Sequence, residues 1–264
     1  MIIPLLKVTN LSKSYDNIVG CKNISMSLYP GEVLGIVGES GSGKTTLINC
    51  LSGNLEPDRG KIIFSINNKE TDFLNISESE KRKFIRTDLA FVHQNPRDGL
   101  RLNVSAGGNI GEKLMSVGYR HYGNIRSLAT KWMNKVEIDK SRIDDLPITF
   151  SGGMLQRLQI AKNLITSPNV IFMDEPTGGL DVSVQARVLD LIRSLVNELN
   201  LTVIIVSHDL AVIRLLADKM IVMKNGTVIE SGLSDQVLED PQQEYTQLLV
   251  CLLYTSDAAD EEDS

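Results

Sequence analysis

Residues Gly38 to Thr46 read Gly-Glu-Ser-Gly-Ser-Gly-Lys-Thr-Thr and follow directly on the apolar run Val33-Leu34-Gly35-Ile36-Val37. This is G-x-x-x-x-G-K-[ST] between a buried strand and a helix beginning near Lys44, the context that gives the pattern its meaning. The glycines let successive backbone N–H groups turn into one concavity, and the helix behind adds the positive end of its dipole. Gly38, Ser40, Gly41, Gly43, Lys44, Thr45 and Thr46 form the expected lining of an anion site sized for α and β phosphates. Lys44 supplies a point charge toward the β and γ phosphates, and Thr45 offers a hydroxyl to Mg²⁺. The implied ligand is a nucleoside triphosphate.

A second group could act on that ligand. Ile171-Phe172-Met173-Asp174-Glu175 puts two carboxylates at the carboxyl end of a buried strand, where ligands bind in open α/β sheets. Asp174 can hold the Mg²⁺ shell, while Glu175 can polarise a water toward the γ-phosphate. A strand ending in a turn would look the same by itself; beside a phosphate loop the chemical reading prevails. Ser151-Gly152-Gly153 opens the helix Met154 to Ile165, and a hydroxyl with two glycines at a helix N-terminus is another anion cradle. Its plain alternative is a serine N-cap. Two cradles do not readily serve the same phosphates from one chain, so this one suggests nucleotide held by another protomer.

The elements that must position these groups alternate between strand and helix. Leu6 to Leu11 and Ile24 to Leu28 alternate like strands of a half-exposed sheet, and Pro30-Gly31 turns the chain into Val33 to Val37. The helix from Lys44 ends near Gly53, Lys61 to Ile66 returns as a strand, and Ser77 caps a charged helix Glu78 to Arg86. Leu89 to His93 is a short strand. From Val104 to Ile165 the period is helical, broken by glycines and Pro147, with Trp132 assigned to the core of this insertion. Val170 to Met173 reads as a strand covered on both faces, and Ser183 as the cap of a helix with apolar Val184, Val188, Leu191, Ile192, Leu195 and Leu199. Leu201 to Val206 and Leu210 to Ala217 give another buried strand and helix. Ile221 to Glu230 forms a hairpin with Asn225-Gly226 as its type I′ turn. The pattern indicates an α/β fold with a mainly parallel, doubly wound sheet.

With 264 residues, 42% hydrophobic and 23% charged, the chain can bury a full core, in one domain or one core with an insertion. No apolar run approaches membrane-span length and the N-terminus lacks a signal-peptide pattern, so a cytoplasmic protein with no direct membrane span is expected. Cys21, Cys50 and Cys251 lack metal-ligand spacing and imply no disulfide framework. His93, His121 and His208 are too scattered to suggest a metal cluster. The net charge of −6 owes five acids to residues 251–264, and the remaining body is nearly neutral, which favours no nucleic-acid partner. That acidic tail resembles the translation of an adapter used in sequencing libraries and is expected to be foreign to the natural chain.

Taken with Phe150-Ser151-Gly152-Gly153-Met154, the set resembles the ATP-binding cassette ATPases over residues 1 to about 250, with Met154 where many members carry Gln. The resemblance implies a P-loop NTPase with a doubly wound sheet, an antiparallel β-subdomain and a helical subdomain inserted at about 98–165. It implies ATP with Mg²⁺ as ligands, and two protomers, identical or paired with another cassette subunit, that sandwich two ATP head to tail. Within it, Gln94 matches the glutamine that senses Mg²⁺ and the attacking water, and Asp181 of Gly179-Leu180-Asp181 lies in the loop after the catalytic Glu175. His208 matches the switch histidine at the γ-phosphate, and Tyr15 the aromatic that stacks on adenine. Their alternatives are a loop amide for Gln94, a helix cap for His208 or its neighbour Asp209, and a surface aromatic for Tyr15.

The stretch after Gln94, Asn95-Pro96-Arg97-Asp98-Gly99-Leu100-Arg101 and Val104-Ser105-Ala106-Gly107-Gly108-Asn109-Ile110-Gly111-Glu112, is similar to ATP-binding subunits of the bacterial carbon–phosphorus lyase system. This similarity extends through Arg142-Ile143-Asp144-Asp145-Leu146-Pro147. It implies docking on a soluble phosphonate-degrading core complex. Importer ATPases for oligopeptides, dipeptides or nickel are the alternative, since Asp181-Val182-Ser183-Val184-Gln185-Ala186 and Tyr245-Thr246-Gln247-Leu248-Leu249 suit them equally.

Overall fold

Residues 3–16 and 18–251 are described by the computed structural model, so the expectations for residues 252–264 lie outside them. The described chain forms two units, one from the segments up to Ile76 and from Leu201 onward, the other from Ser77 to Asn200.

In the first unit β1 (Leu6–Tyr15) and β2 (Ile18–Leu28) pair antiparallel from Leu6↔Leu28 to Tyr15↔Ile18. Both strands run longer than their alternation suggests. The pairing shifts register near Asn10 and Asn23, which adopt φ of 50° and 53°, and the hydrophobic period breaks there. Every residue of β3 (Val33–Val37) is buried, and it feeds α1 (Lys44–Ser52), which Gly53 closes at φ 80°. β4 (Arg59–Ile66) and β5 (Lys69–Asp72) complete a sheet of order β2-β1-β4-β5. β5 is a strand the sequence does not announce: Lys-Glu-Thr-Asp has no apolar residue, and it forms because Asn67 and Asn68, at φ 52° and 60°, fold it back on β4. Phe64 and Phe73 meet edge to face, ring centroids 5.4 Å apart, in the core beneath.

The second unit begins with α2 (Glu78–Thr87), where Ser77 and Glu80 form a reciprocal capping box. β6 (Leu89–Val92) follows and stops one residue short of His93. Then come α3 (Pro96–Gly99), α4 (Ala106–Ser116), α5 (Tyr122–Lys135), 3₁₀ turns at Lys140–Asp144 and Pro147–Thr149, and α6 (Gly152–Leu164). Trp132 is half-buried rather than core, with Lys135 Nζ 5.5 Å from its ring centroid; Ile125, Ala129 and Met133 are the buried face of α5. β7 (Val170–Asp174) lies parallel to β6 in the register Leu89↔Val170 to Val92↔Met173. α7 (Val182–Leu199) is capped two residues earlier than expected: Asp181, in extended conformation, is the N-cap, and Ser183 lies within the first turn.

The chain then returns to the first unit through β8 (Val203–Val206), α8 (Leu210–Leu216), β9 (Lys219–Lys224), β10 (Thr227–Leu233) and α9 (Ser234–Glu239), ending in helical residues 244–251. β3 is parallel to both β8 and β9, and β10 closes antiparallel on β9. Asn225 and Gly226 make the hairpin turn at φ 49° and 77°. The phosphate-loop strand is therefore a central, parallel strand, as its unbroken apolar run requires.

Candidate functional site

The glycine loop leaves β3 at its carboxyl end and is held from behind by the β9–β10 hairpin. Gly226 N–H donates to the Ser42 carbonyl at 3.0 Å, and Lys22 N–H to the Gly226 carbonyl at 2.7 Å. Gly38, at φ 147°, admits no side chain, because a Cβ would overlap the Met223 carbonyl. A Cβ on Gly41 would meet nothing within 4 Å, so that peptide faces open space. Lys44 is 5% exposed, and its ammonium donates to the carbonyls of Gly38 at 2.7 Å and Glu39 at 2.9 Å. A buried ammonium seated on carbonyl dipoles at the mouth of a glycine loop is placed to take an anionic oxygen.

Ser42 Oγ, in the same loop, is buried without a hydrogen-bond partner. A phosphate oxygen would satisfy it, so the loop fits the triphosphate it was read for. Ser40 and Thr45 are exposed and Thr46 half-buried. The Thr45 hydroxyl and Asp174 carboxylate are hard oxygen donors of the kind Mg²⁺ takes alongside substrate phosphates. Tyr15, at the end of β1, is 45% exposed, an aromatic face open at the surface. His208 is exposed after β8, and Asp209 rather than His208 caps α8, accepting from Ala211 N–H at 2.8 Å.

In the second unit Asp174, 8% exposed, ends β7, and half-buried Glu175 follows it at φ 44°. A non-glycine residue there stores of the order of 1–3 kcal/mol, and such strain collects where side-chain direction matters. Glu175 C=O accepts from Gly178 N–H at 2.9 Å, closing the turn. Gln94 lies two residues past Val92, and Glu175 two past its register partner Met173. The two side chains meet there: Gln94 Nε2 donates to Glu175 Oε2 at 3.0 Å. The amide orients the carboxylate, and a carboxylate so oriented is a group that can accept a proton from water.

Gln159 is a residue that sequence reading overlooked. It is fully buried on α6, and its amide grips the His93 backbone twice, Oε1 accepting from His93 N–H at 2.6 Å and Nε2 donating to its carbonyl at 3.1 Å. The residue before Gln94 is thereby fixed from the helix that Ser151-Gly152-Gly153 opens. Nothing in the sequence distinguishes this Gln from an exposed helical one.

Ser151 is the N-cap of α6, its hydroxyl accepting from Met154 N–H at 3.4 Å. Arg142 braces this corner: it lies 4.4 Å from the centroid of Phe150, donates to Met154 Sδ at 3.4 Å, and pairs with Asp145 at 2.7 Å. Gly153 has a packing reason to be small, since a Cβ would overlap Val184 Cγ1 of α7; at Gly152 a Cβ would stand 3.2 Å from Leu180. Asp181 is exposed and makes no side-chain capping bond. Gln94, Glu175 and Asp174 thus share one unit with Ser151, Gly152, Gly153 and Asp181, and Tyr15, the phosphate loop and His208 share the other.

Residues 21–178 match the family model described as ABC transporter. The chain is 61% identical over 247 residues to the phosphonates utilization ATP-binding protein PhnK of Escherichia coli (strain K12), covering 94% of this chain and 96% of that protein. It is 38% identical over 236 residues to the oligopeptide transport ATP-binding protein AmiE of Streptococcus pneumoniae, covering 88% of this chain and 66% of that one. Among solved structures, the dimeric post-hydrolysis state of the ATP-binding cassette MJ0796 bound to ADP and Pi superposes with a TM-score of 0.76 at 28% identity, covering 87% of this chain and 98% of that one. With more than half its length matched by the family model, the chain belongs to the ABC transporter family of ATP-binding cassette ATPases.

Proposed function

We propose that this cassette hydrolyses MgATP to drive a phosphonate-degrading assembly, docking on a soluble carbon–phosphorus lyase core complex in the cytoplasm. The observation that carries the reading is the 61% identity with a phosphonate-utilization ATP-binding protein along nearly the whole of both chains.

In this reading the loop amides and Lys44 hold the phosphates, Thr45 and Asp174 hold Mg²⁺, and Tyr15 stacks on the adenine. The ion supplies charge neutralisation across the phosphates when bound. Glu175 takes a proton from water as the water oxygen bonds to the γ-phosphorus; the bond from that phosphorus to the β–γ bridging oxygen breaks, leaving ADP and phosphate. Gln94 fixes the carboxylate and the water, and His208 contacts the γ-phosphate. Most of the catalysis is positioning and electrostatics. Two copies, or one copy and another cassette subunit, close head to tail, each offering Ser151, Gly152, Gly153 and Asp181 to nucleotide on its partner. Val182, 84% exposed beside Asp181, is an apolar side chain that such closure would cover.

A second reading, the ATPase of an oligopeptide importer, is favoured by the 38% identity with AmiE. Affinity purification of the tagged chain from its own cells separates the two. Recovery of a soluble phosphonate-degrading complex supports the first reading; recovery of a membrane permease instead contradicts it.

A further inference from the structure

The segment Tyr245-Thr246-Gln247-Leu248-Leu249 has no part in the chemistry so far, yet it reaches the phosphate loop. Tyr245, half-buried on helical residues 244–251, places its hydroxyl oxygen 3.0 Å from the Glu39 backbone nitrogen, whose N–H it accepts. Glu39 N–H and Gly38 C=O belong to one peptide group. That same carbonyl accepts from Lys44 Nζ at 2.7 Å. The plane is therefore held at both ends, by a phenol on one side and by the phosphate-binding lysine on the other.

We infer that Tyr245 is a positioning residue for nucleotide binding, its hydroxyl locking the Gly38–Glu39 peptide on which Lys44 rests. Gly38 is the hinge that makes a lock useful: at φ 147° without a Cβ, it leaves this peptide free to rotate where other residues would not. Withdrawal of the N–H to Tyr245 also polarises the carbonyl that Lys44 uses, since hydrogen bonds in series strengthen one another. Tyr245 is itself fixed, with Lys224 Nζ 4.5 Å from its ring centroid at the end of β9. The hairpin that holds Ser42 through Gly226 thus also holds the latch on Glu39. Loss of the hydroxyl releases the peptide and spreads Lys44 over orientations that ATP must then reselect.

This inference rests on the ATP reading above. Its test is Tyr245→Phe, which keeps the ring and its contact with Lys224, measured beside the wild-type chain by equilibrium MgATP binding, steady-state hydrolysis and thermal unfolding without nucleotide. Removal of one neutral hydrogen bond is expected to weaken ATP binding and raise KM about five-fold, with kcat and the unfolding midpoint little changed. ATP affinity equal to wild type, or a fall in unfolding temperature with no change in affinity, overturns it. A wild-type chain that retains no MgATP overturns the ATP reading itself, an outcome separate from a difference between the two proteins.

Discussion

Gln94 donates its side-chain amide to Glu175 Oε2 at 3.0 Å, across the carboxyl ends of two parallel strands in matched register. Val92 and Met173 are partners, and each chemical group sits two residues beyond its strand's partner residue, so backbone pairing alone brings amide and carboxylate to one place. The contact also explains the φ of 44° at Glu175: a sharp turn directly after Asp174 aims the two successive carboxylates differently.

Gln159 fixes the other end of this pair, and its removal should show in turnover before affinity. Gln159→Leu leaves the His93 N–H and C=O without their partner, at a cost of about 1–3 kcal/mol in stability. Misplacing Gln94 should lower kcat by roughly ten-fold or more, with ATP affinity nearly unchanged because the phosphate loop is untouched. Paired kcat and binding measurements check this; an equal loss in both would assign Gln159 to general stability.

Gly153 and Val184 should behave as a coupled pair. Gly153→Ala drives a methyl into Val184 Cγ1 and should destabilise by about 1–3 kcal/mol. In a Val184→Ala background the same substitution should cost much less, which a double-mutant cycle in urea measures. A cost unchanged by Val184→Ala would show that the close approach of α6 and α7 does not set this glycine.

His93, half-buried beside Phe91 with ring centroids 4.7 Å apart, has its pKa pushed below the usual 6.5 by desolvation, with a smaller opposing pull from Asp98. The unfolded chain therefore binds this proton at higher pH than the folded one. Stability from this group is intact above pH 6.5 and falls as pH drops through that value toward the lower folded-state pKa. Unfolding midpoints measured between neutral and mildly acidic pH should decline, and the decline should be shallower in His93→Gln.

Much of the fold was legible because its interior strands are continuous apolar runs and its loops carry glycines at fixed offsets. Val33–Val37 with Gly38 to Thr46, and Ile171 to Glu175, declared where the glycine loop and the paired carboxylates lie, and Asn225-Gly226 declared its hairpin. The misses were local. Lys69–Asp72 has no apolar residue and is a strand only because Asn67-Asn68 turns it onto β4. Ser183 is as good a capping residue as Asp181 by type, and only backbone conformation separates them. Gln159 and Tyr245 act through backbone groups far away in sequence, His93 and Glu39, and no periodicity or spacing encodes such a bond.

Glu175→Gln tests the central chemistry most directly. The purified variant should bind MgATP as tightly as wild type and hydrolyse it at least about a hundred-fold more slowly, since the amide cannot take the proton from water. Single-turnover release of phosphate from prebound ATP isolates that step. Phosphate released by Glu175→Gln at the wild-type rate would contradict the assignment of Glu175 as the base.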